Sequence, residues 1–587
     1  MITAGKLSFG FSGGYLFRDI SFCLQENCHC ALIGSNGTGK TTLINLIREP
    51  GRFLFDGKIK LDNAGRIGYV SQFAIREGDQ SVTVFDYLCQ DFIALEQAID
   101  QVCMQMGDTE DIDAVMEHYQ NLLDESDALD ADNYELNIRR QLKLAQLQDK
   151  ESLALENLSG GELKLVQIIR QMLRRPGLLM MDEPDVFLDF ENLNGLRDLI
   201  NTYKGTLLVV THSRYLLSHC FDKIWHLENA DLQEYEGSFT EYSYSRLQKK
   251  IDLQLAALDD EEEVRRITQL VERLREDATE VIDPQLGRTL KGKVSYLNRL
   301  LNRQIKAPFV QIRQPEIHLP DVELPEEPQE LLRLEDYSLA FEEALLENVS
   351  FAVHTGEKVA LVGANGTGKT SMLREIWKNQ NPSICFFEAA VPAFFSQLHA
   401  EILSEQNTIY QEFFAIGFEN EHQVEEHLKK YCFDPDSLRR KVGNLSGGEK
   451  NLLQLAKLAA GNANLLLLDE PSSHLDTFAQ TALEDAIAAY KGAVLMVSHD
   501  FYTIVNCADT ILFVDDGGIR PMSPRAFRKM IYKKHFSKDY LELELQKKDY
   551  ETRIQRCLEA GDCLEARKLC DKLAMTVEQM SNVSSAR

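Results

Sequence analysis

Apolar residues in this chain fall into two patterns. In the first, short unbroken runs stop at a glycine or an aspartate: CALIG ends at Gly34, VALVG at Gly363, LLMMD at Asp182 and LLLLD at Asp469. Runs of this length, bounded by turn residues, predict strands buried on both faces in parallel sheets. The segments after the first two, TTLINLI and TSMLREI, predict helices. Each glycine-rich turn therefore joins a strand to a helix.

In the second pattern, apolar positions recur at three- and four-residue steps. Leu247, Ile251, Leu255 and Leu258 are followed by Val264, Ile267, Val271 and Leu274. Pro284 and Gly287 interrupt the stripe, and a second one, Leu290, Val294, Leu297, Leu301 and Ile305, is placed to close against it. A helical hairpin over Ser238 to Lys306 follows. A Pro-rich stretch after it predicts an extended connector, and the tail from about Arg525 is helical again, broken at Gly561.

The chain is an internal duplication. LSGGE occurs at Leu158 to Glu162 and at Leu445 to Glu449, DEP at Asp182 and at Asp469, and the phrases THS and SHD carry His212 and His499. YVSQ, ending at Gln72, is matched by FFSQ, ending at Gln397, and the order is the same in both halves. Lys40 and Lys369 lie 329 positions apart, whereas Ser159 and Ser446, Glu183 and Glu470, and His212 and His499 each lie 287 apart. The first half thus holds 42 extra residues between Lys40 and Ser159, 38 of them after Gln72, in a polar, helix-prone region. The expected organisation is a first α/β domain over 1–237 with an insertion about 92–147, a hairpin over 238–306, a connector over 307–330, a second α/β domain over 331–524 and a helical extension over 525–587.

A chain of 587 residues exceeds one hydrophobic core, and its size implies roughly three to five units. No apolar run approaches a membrane span. The start, MITAGKLSFGF, lacks the pattern of an export signal, so a cytoplasmic location is expected. The 12 cysteines form no CxxC pairs, and buried, reduced thiols are expected. A net charge of −29 argues against nucleic-acid binding by the whole surface, though not by a local basic site.

The two turns match GxxxxGK[ST], in the strand-turn-helix context that pattern needs. In the first, Gly34, Ser35, Asn36, Gly37, Thr38, Gly39, Lys40, Thr41 and Thr42 form the loop; in the second, Gly363, Ala364, Asn365, Gly366, Thr367, Gly368, Lys369, Thr370 and Ser371 do. Glycines let backbone N–H groups reach phosphate oxygens, and the helix N-terminus adds a favourable dipole. Lys40 and Lys369 would meet the β and γ phosphates. Thr41 and Thr370 would offer a hydroxyl to Mg²⁺, with Asp182 and Asp469 as carboxylate ligands and Gln72 and Gln397 touching the metal or the water. Glu183 and Glu470 are placed to orient or deprotonate an attacking water, and His212 and His499 to contact the γ phosphate. LSGGE has no acid or base of its own that explains hydrolysis; Ser159, Gly160 and Gly161, like Ser446, Gly447 and Gly448, read as a second anion nest at a helix start, with Glu162 and Glu449 closing the two signatures.

This ordered set, present twice over about 430 of 587 residues, resembles the ATP-binding cassette family. The resemblance implies two cassettes (P-loop NTPase domains) forming a clamp with two sandwiched ATP sites, in which the signature of one half caps the nucleotide of the other. Ser446, Gly447 and Gly448 would close on Lys40, and Ser159, Gly160 and Gly161 on Lys369, with Asp189 and Asp476 as the aspartates after the DE pairs. Phe11 and Phe341 could stack on adenine, or pack in the core.

Fused cassettes separated by a helical hairpin, with an insertion in the first, resemble the ABC-F branch, whose members act on ribosomes. That implies a monomeric Mg²⁺-dependent ATPase without membrane insertion. It would bind ribosomal RNA, and potentially tRNA, near the tRNA exit site, with a role in translation or in antibiotic protection. From Pro284 to Lys306 the hairpin carries six basic residues, Arg288, Lys291, Lys293, Arg299, Arg303 and Lys306, and no acid. Such a face fits RNA phosphates, or is a solvated helix surface. The run Arg525 to Lys538 also lacks acids and reads as RNA-binding, or as a solvated or cassette-packed helix. The first half departs from the family pattern at PDVFLD and THS, where the second reads PSSHLD and SHD. Slowed hydrolysis and neutral drift both remain open there. The competing function is the ATPase subunit of a transporter whose membrane-spanning partner is a separate chain.

Overall fold

The computed structural model describes the chain except residues 1, 12–13, 62–66, 73–78, 107–111, 187, 281–288, 290, 298–314, 324, 326, 341–343, 516, 534–537 and 586–587. Two compact units emerge: Met1–Gly237 with Gln314–Met530, and Ser238–Arg313 with Ile531–Arg587.

The first unit contains two lobes of like topology. In the first lobe a six-stranded sheet runs in the order Ile67–Val70, Leu178–Asp182, Thr206–Val210, His29–Ile33, Lys223–Glu228, Asp231–Glu236. All pairings are parallel except the last. The second lobe repeats this order with Pro392–Phe395, Leu465–Asp469, Ala493–Val497, Lys358–Gly363, Thr510–Asp515 and Gly518–Met522. Strands such as LLMMD and LLLLD are buried along their whole length, as apolar runs in a two-face-covered parallel sheet must be. A three-stranded antiparallel sheet adjoins each: Gly14–Leu24, Ile2–Phe11 and Asp56–Leu61 in the first lobe, Ala344–His354, Glu330–Ala340 and Ile384–Phe386 in the second.

Two glycine-rich turns leave the central strands at their carboxyl ends, where ligands of open α/β sheets sit. Helices Gly160–Leu173 and Gly447–Ala459 begin with a capping box: Ser159 Oγ and Ser446 Oγ accept from the N–H of Glu162 and Glu449, whose carboxylates return to the Ser N–H. The two glutamates of LSGGE thus stabilise their own helix starts. In the first lobe, helices Val84–Gln105, Ile112–Leu129 and Tyr134–Leu144 lie between the glutamine turn and LSGGE. Asp91 anchors the first of them, accepting from Arg170 Nη2 at 2.9 Å and Arg174 Nε at 2.7 Å.

The second unit is helical. Helix Phe239–Glu280 packs with the C-terminal helices Lys538–Glu559 and Cys563–Ser585 around Ile251, Ile554, Ala566, Leu569 and Leu573. Ile267 and Val271 of the sequence-read stripe are also buried. A short helical stretch over 291–297 follows, with Tyr296 Oη donating to Glu263 Oε1 at 2.9 Å. The tandem α/β class, with a helical linker and a helical C-terminal end, holds. The helix Pro524–Lys533 buries Phe527 and Arg528, so that part of the basic C-terminal run is packed. Cysteine usage is mixed: Cys30, Cys220 and Cys507 are buried, while Cys103 and Cys385 are exposed, and all 12 are free thiols. The strand read at CALIG spans His29–Ile33.

Replacing Asp91 with Ala should remove four charge-assisted hydrogen bonds from two arginines and cost about 1–3 kcal/mol. Hydrogen exchange should then accelerate selectively in helix Val84–Gln105; unchanged protection there contradicts the anchor.

Candidate functional site

The two glycine-rich turns have nearly the same internal geometry. Gly39 and Gly368 cap the following helices in the left-handed region, at φ 98° and 87°, with no side chain capping the helix N–H groups. Those unsatisfied donors are an anion-binding feature. Lys40 Nζ donates to the carbonyls of Gly34 and Ser35 at 2.9 and 3.0 Å, and Lys369 Nζ to those of Gly363 and Ala364 at 2.9 and 2.6 Å. Burial pushes both ammonium groups below their ordinary pKa, against the pull of Glu183 on Lys40 and Glu470 on Lys369. A buried cation facing uncapped N–H groups suits a polyanion.

Beside each lysine the DE pair ends a strand. Thr370 Oγ1 donates to Asp469 Oδ1 at 2.8 Å, and Thr41 bonds Asp182 in the same way. The other oxygens, Asp182 Oδ1 and Asp469 Oδ2, are buried without a hydrogen-bond partner. A buried carboxylate oxygen left open beside a threonine hydroxyl is the donor set a hard divalent cation takes.

Glu183 and Glu470 sit in the left-handed region, at φ 45° and 51°, a conformation that costs non-glycine residues roughly 1 kcal/mol or more. Their N–H groups hold it by donating to Val210 and Val497 carbonyls at 2.8 and 2.9 Å. Burial pushes Glu183 up to about 7, and Glu470 up to about 8. Gln72 Nε2 donates to Glu183 Oε2 at 2.7 Å, and the His499 N–H to Glu470 Oε2 at 3.2 Å. Both ring nitrogens of His212 and Nδ1 of His499 are buried without a partner. Burial, reinforced by Lys40, holds His212 neutral, and burial with Lys369 pushes His499 down to about 3.

The lobes meet at these turns. Asp189 Oδ2 accepts from the Asn365 N–H at 3.0 Å, and Asp476 Oδ2 from the Asn36 N–H at 3.3 Å. Asn36 Nδ2 also donates to the His474 carbonyl at 2.8 Å. A Cβ added to Gly448 would stand 2.1 Å from Asn36 Nδ2, so the second LSGGE is packed on the first turn. The first LSGGE faces the second turn across a cavity of about 630 Å³, where Ser159, Gly160 and Gly161 share the lining with Lys369, Thr370, Ser371, Gln397, Glu470 and His499.

Of the other candidates, Phe11 ends strand Ile2–Phe11, and Phe341 lies outside the described residues. In the helical unit Lys291 is exposed and Lys293 half-buried, while Arg288, Arg299, Arg303 and Lys306 lie outside the described residues.

Several partners had no place in the sequence reading. Lys164 Nζ donates to the carbonyls of Ser71 and Gln72, and burial pushes it down to about 8. Thr211 Oγ1 donates to Asp185 Oδ1 at 2.6 Å, and burial pushes that carboxyl up to about 6. At the equivalent positions, 287 residues on, stand Asn451, Ser472 and Ser498, all neutral. Aligning the two halves residue by residue exposes this difference. Glu228 accepts from Ser35 N and Oγ at 3.1 and 2.9 Å.

Residues 17–186 and 346–473, half of the chain, match the protein family described as ABC transporter. The Bacillus subtilis protein named Uncharacterized ABC transporter ATP-binding protein YfmM is 28% identical over 526 residues, spanning 86% of this chain and 96% of its own. The Energy-dependent translational throttle protein EttA of Haemophilus influenzae is 27% identical over 520 residues, spanning 86% and 90%. Among solved structures, one of an archaeal ribosome recycling factor with a ribosomal stalk protein aligns with a TM-score of 0.51 at 18% identity, covering 91% of this chain and 92% of that one. That last likeness is one of fold.

The raised glutamates carry a stability signature. In the folded chain Glu183 and Glu470 keep their protons to about 7 and about 8, against an ordinary value of 4.5, so folding binds protons across that window and stability falls as pH rises through it. Glu183→Gln with Glu470→Gln, which cannot ionise, should raise the melting temperature of the nucleotide-free chain more at about pH 8.5 than at about pH 5. An equal effect at both pH values contradicts the shifts.

Proposed function

We infer what this protein does from a fixed premise: the chain belongs to the ABC transporter family, as a tandem ATPase of the ABC-F type, and it hydrolyses ATP. Within that frame it works as a clamp with two composite ATP sites. The observation that carries this reading is the reciprocal pair of bonds, Asp476 to the Asn36 N–H and Asp189 to the Asn365 N–H. Each lobe reaches into the other's phosphate loop, so an ATP bound to one turn is contacted by both lobes.

The triphosphate would lie along the N–H groups of each turn, its β and γ oxygens drawing Lys40 or Lys369 off the loop carbonyls. Thr41, Gln72 and Asp182 would hold Mg²⁺ at the first site, and Thr370, Gln397 and Asp469 at the second. When bound, the metal supplies charge neutralisation on the phosphate oxygens. Glu183 and Glu470, buried beside the lysines, would orient the attacking water and take its proton. Their raised proton affinity keeps each carboxylate basic. His212 and His499, neutral with open ring nitrogens, would donate to the γ phosphate. Ser159, Gly160 and Gly161 would close on the ATP at Lys369, and Ser446, Gly447 and Gly448 on that at Lys40. ATP thereby favours the closed clamp in proportion to its tighter binding there, and hydrolysis removes the bias.

The closed clamp acts in the cytoplasm on the ribosome near the tRNA exit site and adjusts translation. Supporting this are the relative named a translational throttle, which shares nearly its full length with the chain, and the basic residues Lys291 and Lys293 in the linker. No helix among the described residues is long and apolar enough to cross a membrane, in keeping with a role away from one.

In the double variant Glu183→Gln, Glu470→Gln, ATP hydrolysis should drop by about 100-fold or more while ATP binding persists. With ATP present the variant should accumulate in ribosomal fractions on a sucrose gradient. Finding it wholly in ribosome-free or membrane fractions contradicts the ribosomal role, and undiminished hydrolysis contradicts the role of the glutamates.

A further inference from the structure

Arg214 opens the helix Arg214–His219, two residues after His212, the switch histidine of its lobe, placed like His499 for the γ phosphate. Its side chain crosses to the other lobe. Nη2 donates to Glu484 Oε1 and, at 2.9 Å, to Asp500 Oδ2. Asp500 directly follows the second switch histidine, His499, and caps the helix Phe501–Cys507; Glu484 belongs to the helix Thr477–Ala489. All three side chains are largely removed from water, at 13%, 7% and 19% exposure for Arg214, Glu484 and Asp500. The guanidinium also lies over the Tyr502 ring, 4.9 Å from its centre. The carboxylates are held in turn: Asn506 Nδ2 donates to Glu484 Oε2 at 2.7 Å, and Thr503 Oγ1 to Asp500 Oδ2 at 2.6 Å.

The duplication does not repeat this arrangement. At the 287-residue spacing Arg214 corresponds to Phe501, Ser213 to Asp500 and Arg197 to Glu484. Phe501 meets the first lobe through an edge-on contact with Phe190, ring centres 6.2 Å apart. Arg197, in its own lobe, donates to Asp198 at 2.9 Å and to Tyr215 at 2.6 Å. Mirror-related positions thus carry an aromatic contact on one side and an ionic one on the other.

A guanidinium between two buried carboxylates tolerates little displacement. Separating the lobes takes the shared cation away from Glu484 and Asp500 and breaks both of its charge-assisted bonds, so the tie opposes opening. The two ends of the tie lie next to the two switch histidines, one per ATP site. We propose that Arg214 is a positioning residue that ties the two switch turns together, so that closure around ATP at one site favours closure at the other. The inference rests on the clamp reading above. The tie is one-sided, so a single substitution removes it without touching a phosphate loop, an LSGGE segment or a DE pair.

The test uses the full chain carrying Glu183→Gln and Glu470→Gln, with no ribosome present, and equilibrium dialysis of radiolabelled ATP with Mg²⁺. The parent should bind its second ATP about fivefold or more tighter than its first, the usual lower range of coupling between sites. Arg214→Met should erase most of that ratio and leave the first affinity unchanged; Arg214→Lys should recover part of it. Glu484→Gln, which cuts the tie from the other lobe, should reproduce the loss, and it decides the matter if Arg214→Met fails to fold. Cooperativity in either variant equal to the parent's, or an equal weakening of both ATP molecules, overturns the proposal. A parent that binds two ATP independently overturns the clamp reading along with it.

Discussion

The structure depends on a hydrogen bond made twice: an aspartate of one lobe accepts the backbone N–H of the asparagine in the other lobe's phosphate loop. In the proposed clamp the backbone N–H groups of such a loop would be the phosphate ligands, so a lobe that bonds one of them constrains the whole cradle. Parallel strand order puts each loop at the carboxyl edge of its sheet. With those two edges face to face, each lobe is placed to complete the site proposed at the other's turn.

Desolvation does the rest of the chemistry. At each site a lysine, two carboxylates and a histidine share a buried space, and burial shifts each of them towards its neutral form. A glutamate with raised proton affinity is a better base than one in water, and a neutral histidine with open nitrogens is a ready hydrogen-bond partner. Carboxylate oxygens left without partners at Asp182 and Asp469 mark where charge is still to be balanced. The two sites are not copies. The first is packed so closely that Gly448 admits no side chain, whereas the second keeps a cavity of about 630 Å³ between the loop and LSGGE. The first lobe also carries Lys164 and Asp185 where the second has Asn451 and Ser472.

Much of this was legible in sequence because the motifs are local. A strand, a glycine turn and a helix are contiguous, and the repeated spacing of 287 fixed which residues correspond. The capping boxes are equally legible as S-x-x-E before an apolar run, and they give the glutamates of LSGGE a role that an anion nest of Ser and two Gly leaves unassigned. Contacts between lobes left no local trace: Arg214 and Glu484 are 270 positions apart, and neither stands in a motif. The His474 carbonyl that holds Asn36 was invisible for another reason, since any residue there supplies a carbonyl. Left-handed backbone at Glu183 and Glu470 follows from the strand-end turn, and no residue preference announces it. Of the basic hairpin face only Lys291 and Lys293 lie among the described residues.

Counting occluded ATP tests the composite sites most directly. In the hydrolysis-deficient double glutamine variant, Lys40→Ala combined with Gly448→Asp places both lesions in one composite site, while Lys40→Ala combined with Gly161→Asp places one in each. The first combination should retain about one slowly released ATP per chain and the second none, as expected when each triphosphate is bound from both sides. If the second combination keeps its ATP and the first loses it, each lobe completes its own site and the clamp described here is wrong.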